Sequence, residues 1–363
     1  MQILKLAEAP EKLVIQTACA VLASGGLLIF PTETTYGAGV DATNAHAVEK
    51  LLRYKSRREG KPLSIAVTNQ EMAEQYAVLN EQACTLYQQF LPGPLTIVSY
   101  AQKDVLAPGV VSEFGTIGVR IPDYPLLLKI SAAYSKPITA TSANGSGEKR
   151  PYSLHDIFDH ISEKQKALID CCIDAGELPH NLPSTVIDTT LSTPVTLRQG
   201  NLMSNADNNT QHIVTHSESE TQELAGKLVL KHWDTIKNTG LVIGLDGPLG
   251  AGKTIFSQGV AQFLHIPEQL HSPTYTYYEE YSFDRHGVRG TLIHADFWKV
   301  DSLAVFEKLE FATLLQPPCI IVIEWWSQVA EHCIPLLKAA GVPYIQCTIA
   351  DLGNTRSLTL YET

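Results

Sequence analysis

Nothing in the 363 residues approaches the roughly 20 consecutive apolar positions that a membrane helix needs. Glu8 and Glu11 interrupt the N-terminus where a signal peptide requires an apolar core. The seven cysteines are odd in number, with no C-x-x-C pair and no Cys/His cluster at zinc spacing. Adjacent Cys171 and Cys172 suit small buried thiols in a reducing compartment better than a disulfide framework. These absences predict a cytoplasmic chain that makes no use of a membrane. Positive charge is also scarce. The net charge is −11, with 17 Lys/Arg against 20 Asp/Glu up to residue 200 and 10 against 18 beyond it. Neither half has the basic excess of a protein that grips nucleic acid by its phosphates, so any RNA is expected to be held by a partner or a local patch. No Ser-His-Asp order, paired-carboxylate spacing or H-E-x-x-H motif is present.

What is present is ordinary globular material, 44% apolar and 18% charged, in a length that suits two or three domains. The polar run "NLMSNADNNTQHIVTHSESE", Asn201 to Glu220, is the best boundary. It predicts a first domain over 1–205, a linker over 206–216 and a second domain over 217–363. In the first, "GGLLIFPTE", "TIGVRIP", "PITATSA" and "STVIDTT" read as strands. "TNAHAVEKLLRYKSRR" reads as a helix capped by Thr43 or Asn44, its stripe of Val48, Leu51, Leu52 and Lys55 ending where the helix meets a loop. In the second, "TQELAGKLVLKHW" reads as a helix and "TGLVIGLDG" as a buried strand. Strands and helices interleave throughout, so both halves are predicted to be α/β.

"GPLGAGKT" completes the G-x-x-x-x-G-K-[ST] pattern with Gly247, Gly250, Gly252, Lys253 and Thr254, Ala251 lying between the last two glycines. A buried strand leads into it, and a helix with Phe256, Val260, Phe263 and Leu264 on one face leaves it. Glycines let backbone N–H groups curl around phosphate oxygens, and the helix N-terminus adds its dipole. Lys253 is expected to reach the β- and γ-phosphates, and the Thr254 hydroxyl to hold Mg²⁺. Asp296 and Glu324 each end an apolar run and are the candidate carboxylates near that ion.

The order "GPLGAGKT", "HSPTYTYYEEY", "HADFWKV", "IEWW" resembles the TsaE-type ATPases over about residues 214–363. The resemblance implies a P-loop domain in which Thr254 and Glu324 ligate Mg²⁺, Thr274 and Asp296 sit near the γ-phosphate, and Trp325 lies beside the site. Pro248 stands where that family usually has Asp, and Lys299 stands where it has Arg.

The first half carries basic and hydroxyl residues at strand ends. "KSRREGKP" supplies Lys55, Arg57, Arg58 and Lys61, and "GTIGVRIP" supplies Thr116 and Arg120. "TSANGSGEKR" adds Ser142, Asn144 and Arg150, "PSTVID" adds Ser184 and Thr185, and "LRQG" adds Arg198. Isolated arginines after apolar strand residues suit carboxylate and phosphate binding in a cleft. With no visible nucleophile or acid–base pair, catalysis there would rest on positioning and charge neutralisation.

"PTETTYG", "KSR…KPL", "LPGPLT", "GVRIP", "TSANGSG", "STVID" and "LRQG" resemble, in order over about residues 8–205, the YrdC/TsaC family of threonylcarbamoyl-AMP synthases. That resemblance implies a twisted mixed α/β sheet around a basic cavity, and a reaction of L-threonine, bicarbonate and ATP. Lys55 and Arg57 would form the K-x-R pair and Ser142 and Asn144 the S-x-N pair of the catalytic set. Arg57, Lys61, Thr116, Ser142, Arg150 and Arg198 would hold ATP. Thr34, Arg120, Ala140 and Ser184 would surround threonine, with Tyr36 lining the cavity. Mg²⁺ is expected, although no carboxylate ligand for it is evident. Glu33, Thr35 and Gln199 replace the commoner Asp, Val and Pro.

Together the two resemblances imply a fusion of two components of tRNA threonylcarbamoyladenosine formation. The partner would be a separate TsaD/TsaB-type transferase complex that brings the tRNA. Three alternatives stand beside this: a hydrogenase-maturation type of carbamoyltransferase, an RNA-binding module, and a small-molecule kinase. The first usually carries C-x-x-C pairs and an acylphosphatase region, and neither is found here.

Overall fold

The structure is a computed structural model that describes residues 1–56, 63–144, 149–200, 210–273, 276–300 and 302–363. The chain divides into two compact units, Met1–Thr190 with Thr196–Ser204, and Leu191–Val195 with Asn205–Thr363. Each is α/β, built on mixed sheets.

The first unit carries two sheets. One has the order β1 (Gln2–Lys5), β10 (Ile169–Asp174), β2 (Leu27–Phe30), β3 (Gly37–Gly39), β9 (Thr141–Ser142). Its β2 is apolar on both faces. Leu27 and Ile29 enter the cluster that holds Val48, Leu51 and Tyr54 of the helix Ala45–Lys55. Leu28 and Phe30 enter another with Val14, Ala18 and Leu22 of Glu11–Ala23 and Leu126, Leu127 and Ile130 of Pro125–Tyr134. A run such as "LLIF" is what a strand covered by helices on both sides needs. Asn44 caps the helix Ala45–Lys55, its side chain accepting from the His46 and Ala47 amides.

The other sheet has the order β12 (Val195–Arg198), β11 (Thr185–Asp188), β6 (Leu95–Ala101), β7 (Thr116–Arg120), β4 (Ser64–Ala66), β8 (Ile138–Thr139), with β5 (Ala77–Val78) also pairing with β6. Its strands are two-faced. Ile97, Ile117, Val119 and Ile65 point into the core, while their alternating neighbours Thr96, Val98, Gly118 and Arg120 face the other way. The chain passes from one sheet to the other at Ala140, between β8 and β9, and the Ala140 amide is fixed to the Ser64 carbonyl at 2.7 Å.

The second unit has one sheet, ordered β13 (Thr210–Thr215), β19 (Arg356–Glu362), β18 (Tyr344–Asp351), β14 (Leu241–Asp246), β17 (Cys319–Glu324), β16 (Val288–Asp296), β15 (Tyr278–Arg285). The four strands β18, β14, β17 and β16 run parallel; the flanking pairs are antiparallel. The glycine-rich loop leaves the C-terminal end of β14, inside the sheet, and leads into the helix Lys253–Phe263. Residues 210–215 correct the polar reading of 206–216 as a linker: they form β13, paired with β19 from Thr210↔Tyr361 to Thr215↔Arg356. An edge strand needs few apolar side chains, and Ile213 is the buried hydrophobic residue of this one. No helix among the described residues is long and apolar enough to cross a membrane.

Candidate functional sites

In the first unit, the polar face of the second sheet and the turns beside it enclose a cavity of about 410 Å³. Of the residues the sequence singled out, Thr34, Arg120, Ala140, Ser142, Asn144, Arg150, Ser184 and Arg198 all line it. Six strands, β4, β6, β7, β9, β11 and β12, and the loops beside them, far apart in sequence, thus meet in one place. The cavity is small-walled by design of the strands: a Cβ at Gly118 would lie 2.8 Å from the Ser64 hydroxyl and 3.0 Å from a Thr96 methyl, so any side chain there would fill the space.

Three guanidiniums define the electrostatics. Burial lowers the pKa of Arg198 to about 10, and the neighbouring Arg120 and Arg150 push it in the same direction. Arg198 is held by Ser184, donating to its carbonyl at 3.0 Å and its hydroxyl at 2.8 Å, and that hydroxyl also meets Thr96 at 3.0 Å. The residue assigned to ATP and the residue assigned to threonine are therefore directly joined. Arg120 forms a part-buried ion pair with Glu33, yet its Nε and the Glu33 Oε2 have no partner. Guanidiniums that repel one another across a cavity favour an anionic occupant. No Asp or Glu lines this cavity among the described residues.

Other assignments move. Lys55 is not on the cavity wall; the residue is 5% exposed, and its ammonium donates to the carbonyls of Ser142, at 2.5 Å, and Asn144. Tyr54 donates to the Ala143 carbonyl between them at 2.5 Å, so the end of one helix holds three successive carbonyls of the S-x-N segment. Tyr36 does not line the cavity either. The bend after Thr34 turns it into the core, where its hydroxyl donates to the Gly176 carbonyl and accepts from the Ala175 amide, both at 2.8 Å. Thr116 shares a strand face with Gly118 and Arg120 but is buried against Ser112, its hydroxyl 2.7 Å from the serine's. Arg57 and Lys61 lie outside the described residues. Ser64, Thr96 and Gly118 were missed, although the alternation in "TIGVR" was a signal for a strand with one open face.

In the second unit, the loop Gly247–Gly252 needs its glycines. Gly247 has φ +147° and a Cβ there would lie 2.2 Å from the Ile349 carbonyl oxygen; Gly252 has φ +107°, with the Arg356 Nε 2.6 Å from where a Cβ would be. Arg356 in turn donates to the Ala251 carbonyl at 3.2 Å and braces the loop. Gly250 also has a positive φ, +81°. The Lys253 ammonium points back into the loop, donating to the carbonyls of Gly247 at 2.8 Å and Pro248 at 3.0 Å, and lies 4.2 Å from the Trp325 ring centroid. Burial lowers its pKa against the opposing pull of Glu324, Asp296 and Asp246.

Register does the rest. Parallel pairing of β16 with β17 sets Asp296 directly opposite Glu324 at the same end of the sheet as the loop. The Thr254 hydroxyl donates to Glu324 Oε2 at 3.2 Å, and Ser272 donates to Asp296. An alcohol and a carboxylate converging beside a phosphate-type loop are hard oxygen donors that fit Mg²⁺. Thr274 lies outside the described residues. Lys299 sits over the ring of the exposed Trp298, 4.7 Å from its centroid.

Comparison with known proteins agrees with this division. Residues 20–200 match the family model Sua5/YciO/YrdC, described as "Telomere recombination", and residues 215–357 match that of "Threonylcarbamoyl adenosine biosynthesis protein TsaE". The chain is 37% identical over 201 residues to a threonylcarbamoyl-AMP synthase of Pyrococcus abyssi, covering 55% of this chain and 58% of the relative. It is 34% identical over 200 residues to a putative threonylcarbamoyl-AMP synthase of Methanocaldococcus jannaschii, covering 55% and 92%. A Bacillus subtilis threonylcarbamoyl-AMP synthase is 33% identical, with 52% and 54% covered. The chain thus spans little more than half of two of these relatives and nearly all of the third. In fold it is similar to P. abyssi Sua5, solved with L-threonine, with a TM-score of 0.52 at 24% identity over 95% of this chain and 98% of that one. The chain belongs to the Sua5/YciO/YrdC family and carries, fused behind that domain, a domain of the TsaE family.

Proposed function

We propose that the first unit makes threonylcarbamoyl-adenylate and pyrophosphate from L-threonine, bicarbonate and ATP. The observation that carries this reading is the cavity in which Arg120, Arg150 and Arg198 face a ring of Ser and Thr hydroxyls with no acidic lining among the described residues. Arg120 suits the carboxylate of threonine, with Thr34 and Ser184 beside it; Arg150, Arg198 and Ser142 suit the phosphates. Arg57 and Lys61 would complete the phosphate set. The threonine amine adds to the CO₂ that bicarbonate supplies, losing a proton and giving a carbamate. A carbamate oxygen then attacks the α-phosphorus, the bond to the bridging oxygen breaks, and pyrophosphate leaves with the electron pair. Arginines placed around the phosphates stabilise the charge that builds on them.

The second unit is read as an ATPase that serves a separate TsaD/TsaB-type transferase complex, through which tRNA is reached. Loop amides and Lys253 would hold the phosphates; Thr254 and Glu324 would hold magnesium, which screens phosphate charge when bound, with Asp296 and Thr274 near the γ-phosphate. The free cysteines and the net charge of −11 agree with a cytoplasmic role in which a partner carries the RNA.

Product analysis of the intact chain with ATP, Mg²⁺, L-threonine and bicarbonate tests the reading. Pyrophosphate is expected only when threonine and bicarbonate are both present. RNA binding with a steep salt dependence and no adenylate would support the binding-module alternative instead.

A further inference from the structure

The chemistry proposed for the second unit makes no use of a buried histidine. His294 lies on β16 with no exposed side-chain surface, on the strand face opposite Ile293 and Ala295, which enter the core. Its Nε2 is 2.9 Å from Glu324 Oε1. Its Nδ1 is buried with no hydrogen-bond partner. A buried N–H without an acceptor costs more than a bare ring lone pair, and only a protonated Nε2 can donate to the carboxylate. The bond to the carboxylate therefore requires Nε2 to carry a proton. Ser257 makes a longer approach to the same carboxylate oxygen, at 3.5 Å, while Thr254 donates to the other, Oε2. The two oxygens of Glu324 are thus divided, one turned inward to His294 and one turned toward the loop.

We propose that His294 is a positioning residue that ties down Glu324 Oε1 so that Oε2 is presented, beside Thr254, to a nucleotide-bound divalent cation. His294 does not touch that cation. Without its donated bond, the Glu324 carboxylate is free to rotate and its inward oxygen is left without its strongest donor. The inference rests on the reading of this unit as a nucleotide-binding domain. The geometry comes from long-range register: His294 pairs with Val322 across β16 and β17, which brings its ring alongside a carboxylate 30 positions away in sequence.

Intrinsic fluorescence isolates the second unit, because all four tryptophans of the chain, Trp233, Trp298, Trp325 and Trp326, belong to it. The full chain would be titrated with a non-hydrolysable ATP analogue, with and without Mg²⁺, as wild type, His294→Phe and His294→Gln. Glutamine carries an amide N–H at about the reach of Nε2, whereas phenylalanine fills the space and donates nothing. His294→Phe is expected to lose roughly tenfold of the Mg²⁺-dependent gain in affinity while binding the analogue without Mg²⁺ as wild type does. His294→Gln is expected to recover most of that gain. If both variants keep the full gain, His294 only fills the core and the proposal is overturned. Equal loss in both, with the fold intact by circular dichroism, also overturns it, since packing and not the donated bond would be the cause. A wild-type chain whose fluorescence ignores the analogue, and matches Lys253→Ala, would instead remove the nucleotide-binding reading itself and this proposal with it.

Discussion

Lys55 donates from the C-terminal end of its helix to the carbonyl of Ser142 at 2.5 Å, and with the same ammonium to that of Asn144. A lysine expected to act on substrate is therefore the clamp that holds the segment carrying two cavity residues. Lys55→Ala is expected to lose about 3 kcal/mol of stability, from two charge-assisted bonds, along with at least tenfold in turnover. Tyr54→Phe, which frees the intervening Ala143 carbonyl, is expected to lose about 1 kcal/mol and little activity. Denaturant unfolding alongside a pyrophosphate assay checks both. A Lys55→Ala protein as stable as wild type but inactive would put the ammonium on the substrate.

The part-buried Arg120–Glu33 pair makes a different test. An incoming carboxylate competes with Glu33 for the guanidinium, so removing the charge but keeping an acceptor leaves Arg120 oriented and available. Glu33→Gln is expected to tighten L-threonine binding several-fold. Arg120→Ala, which deletes a charge-assisted contact, is expected to weaken it by about a hundredfold. Calorimetric titration with threonine decides between these and the opposite order, which would mean that Glu33 itself contacts the substrate.

Tyr36 separates a core role from a substrate role. Tyr36→Phe removes the bonds to Gly176 and Ala175 and should cost about 1–3 kcal/mol of stability. The KM values for threonine and ATP should not change; a rise in either would return Tyr36 to the cavity.

Acid should unfasten the second unit at Glu362. Burial alone would raise its pKa, but His232 and Lys231 outweigh burial and hold it at about 2, below the ordinary value of 4.5. Lys231 reaches both oxygens, at 2.7 and 2.8 Å, and ties the helix Glu218–Lys231 to β19. Because the folded pKa lies below the unfolded one, the contribution is complete above pH 4.5 and is lost as pH falls from there toward 2. Tryptophan-monitored melts should lose at most about 3 kcal/mol over that range, a loss that Glu362→Gln abolishes along with much of the stability at neutral pH.

The glycine-rich loop and its strand-end carboxylates were legible because each is a local pattern. Eight residues specify the loop, and Asp296 and Glu324 each end an apolar run. The arginines were legible for the same reason. What closed the cavity was not: Ser184 meets Thr96 through pairing of β11 with β6, nearly ninety positions apart, and no local pattern states which strands pair. Thr96 and Gly118 stood in segments already quoted, but which face of a strand opens on a cavity becomes distinct only once its neighbours are known. Tyr36 misled because hydroxyl-rich neighbours do not reveal a bend, and β13 because an edge strand can be as polar as a linker. His294 sits in a motif, yet its partner is set by sheet register.

The central claim is that one chain holds two separate ATP chemistries. The most direct measurement counts pyrophosphate and phosphate from Arg150→Ala and Lys253→Ala proteins given ATP, Mg²⁺, L-threonine and bicarbonate. Arg150 is exposed at the cavity rim, so its replacement leaves the fold alone. Arg150→Ala should lose at least tenfold of the threonine-dependent pyrophosphate, and Lys253→Ala should lose none of it. Pyrophosphate that vanishes in Lys253→Ala and persists unchanged in Arg150→Ala would contradict the account, placing all of the ATP chemistry in the second unit.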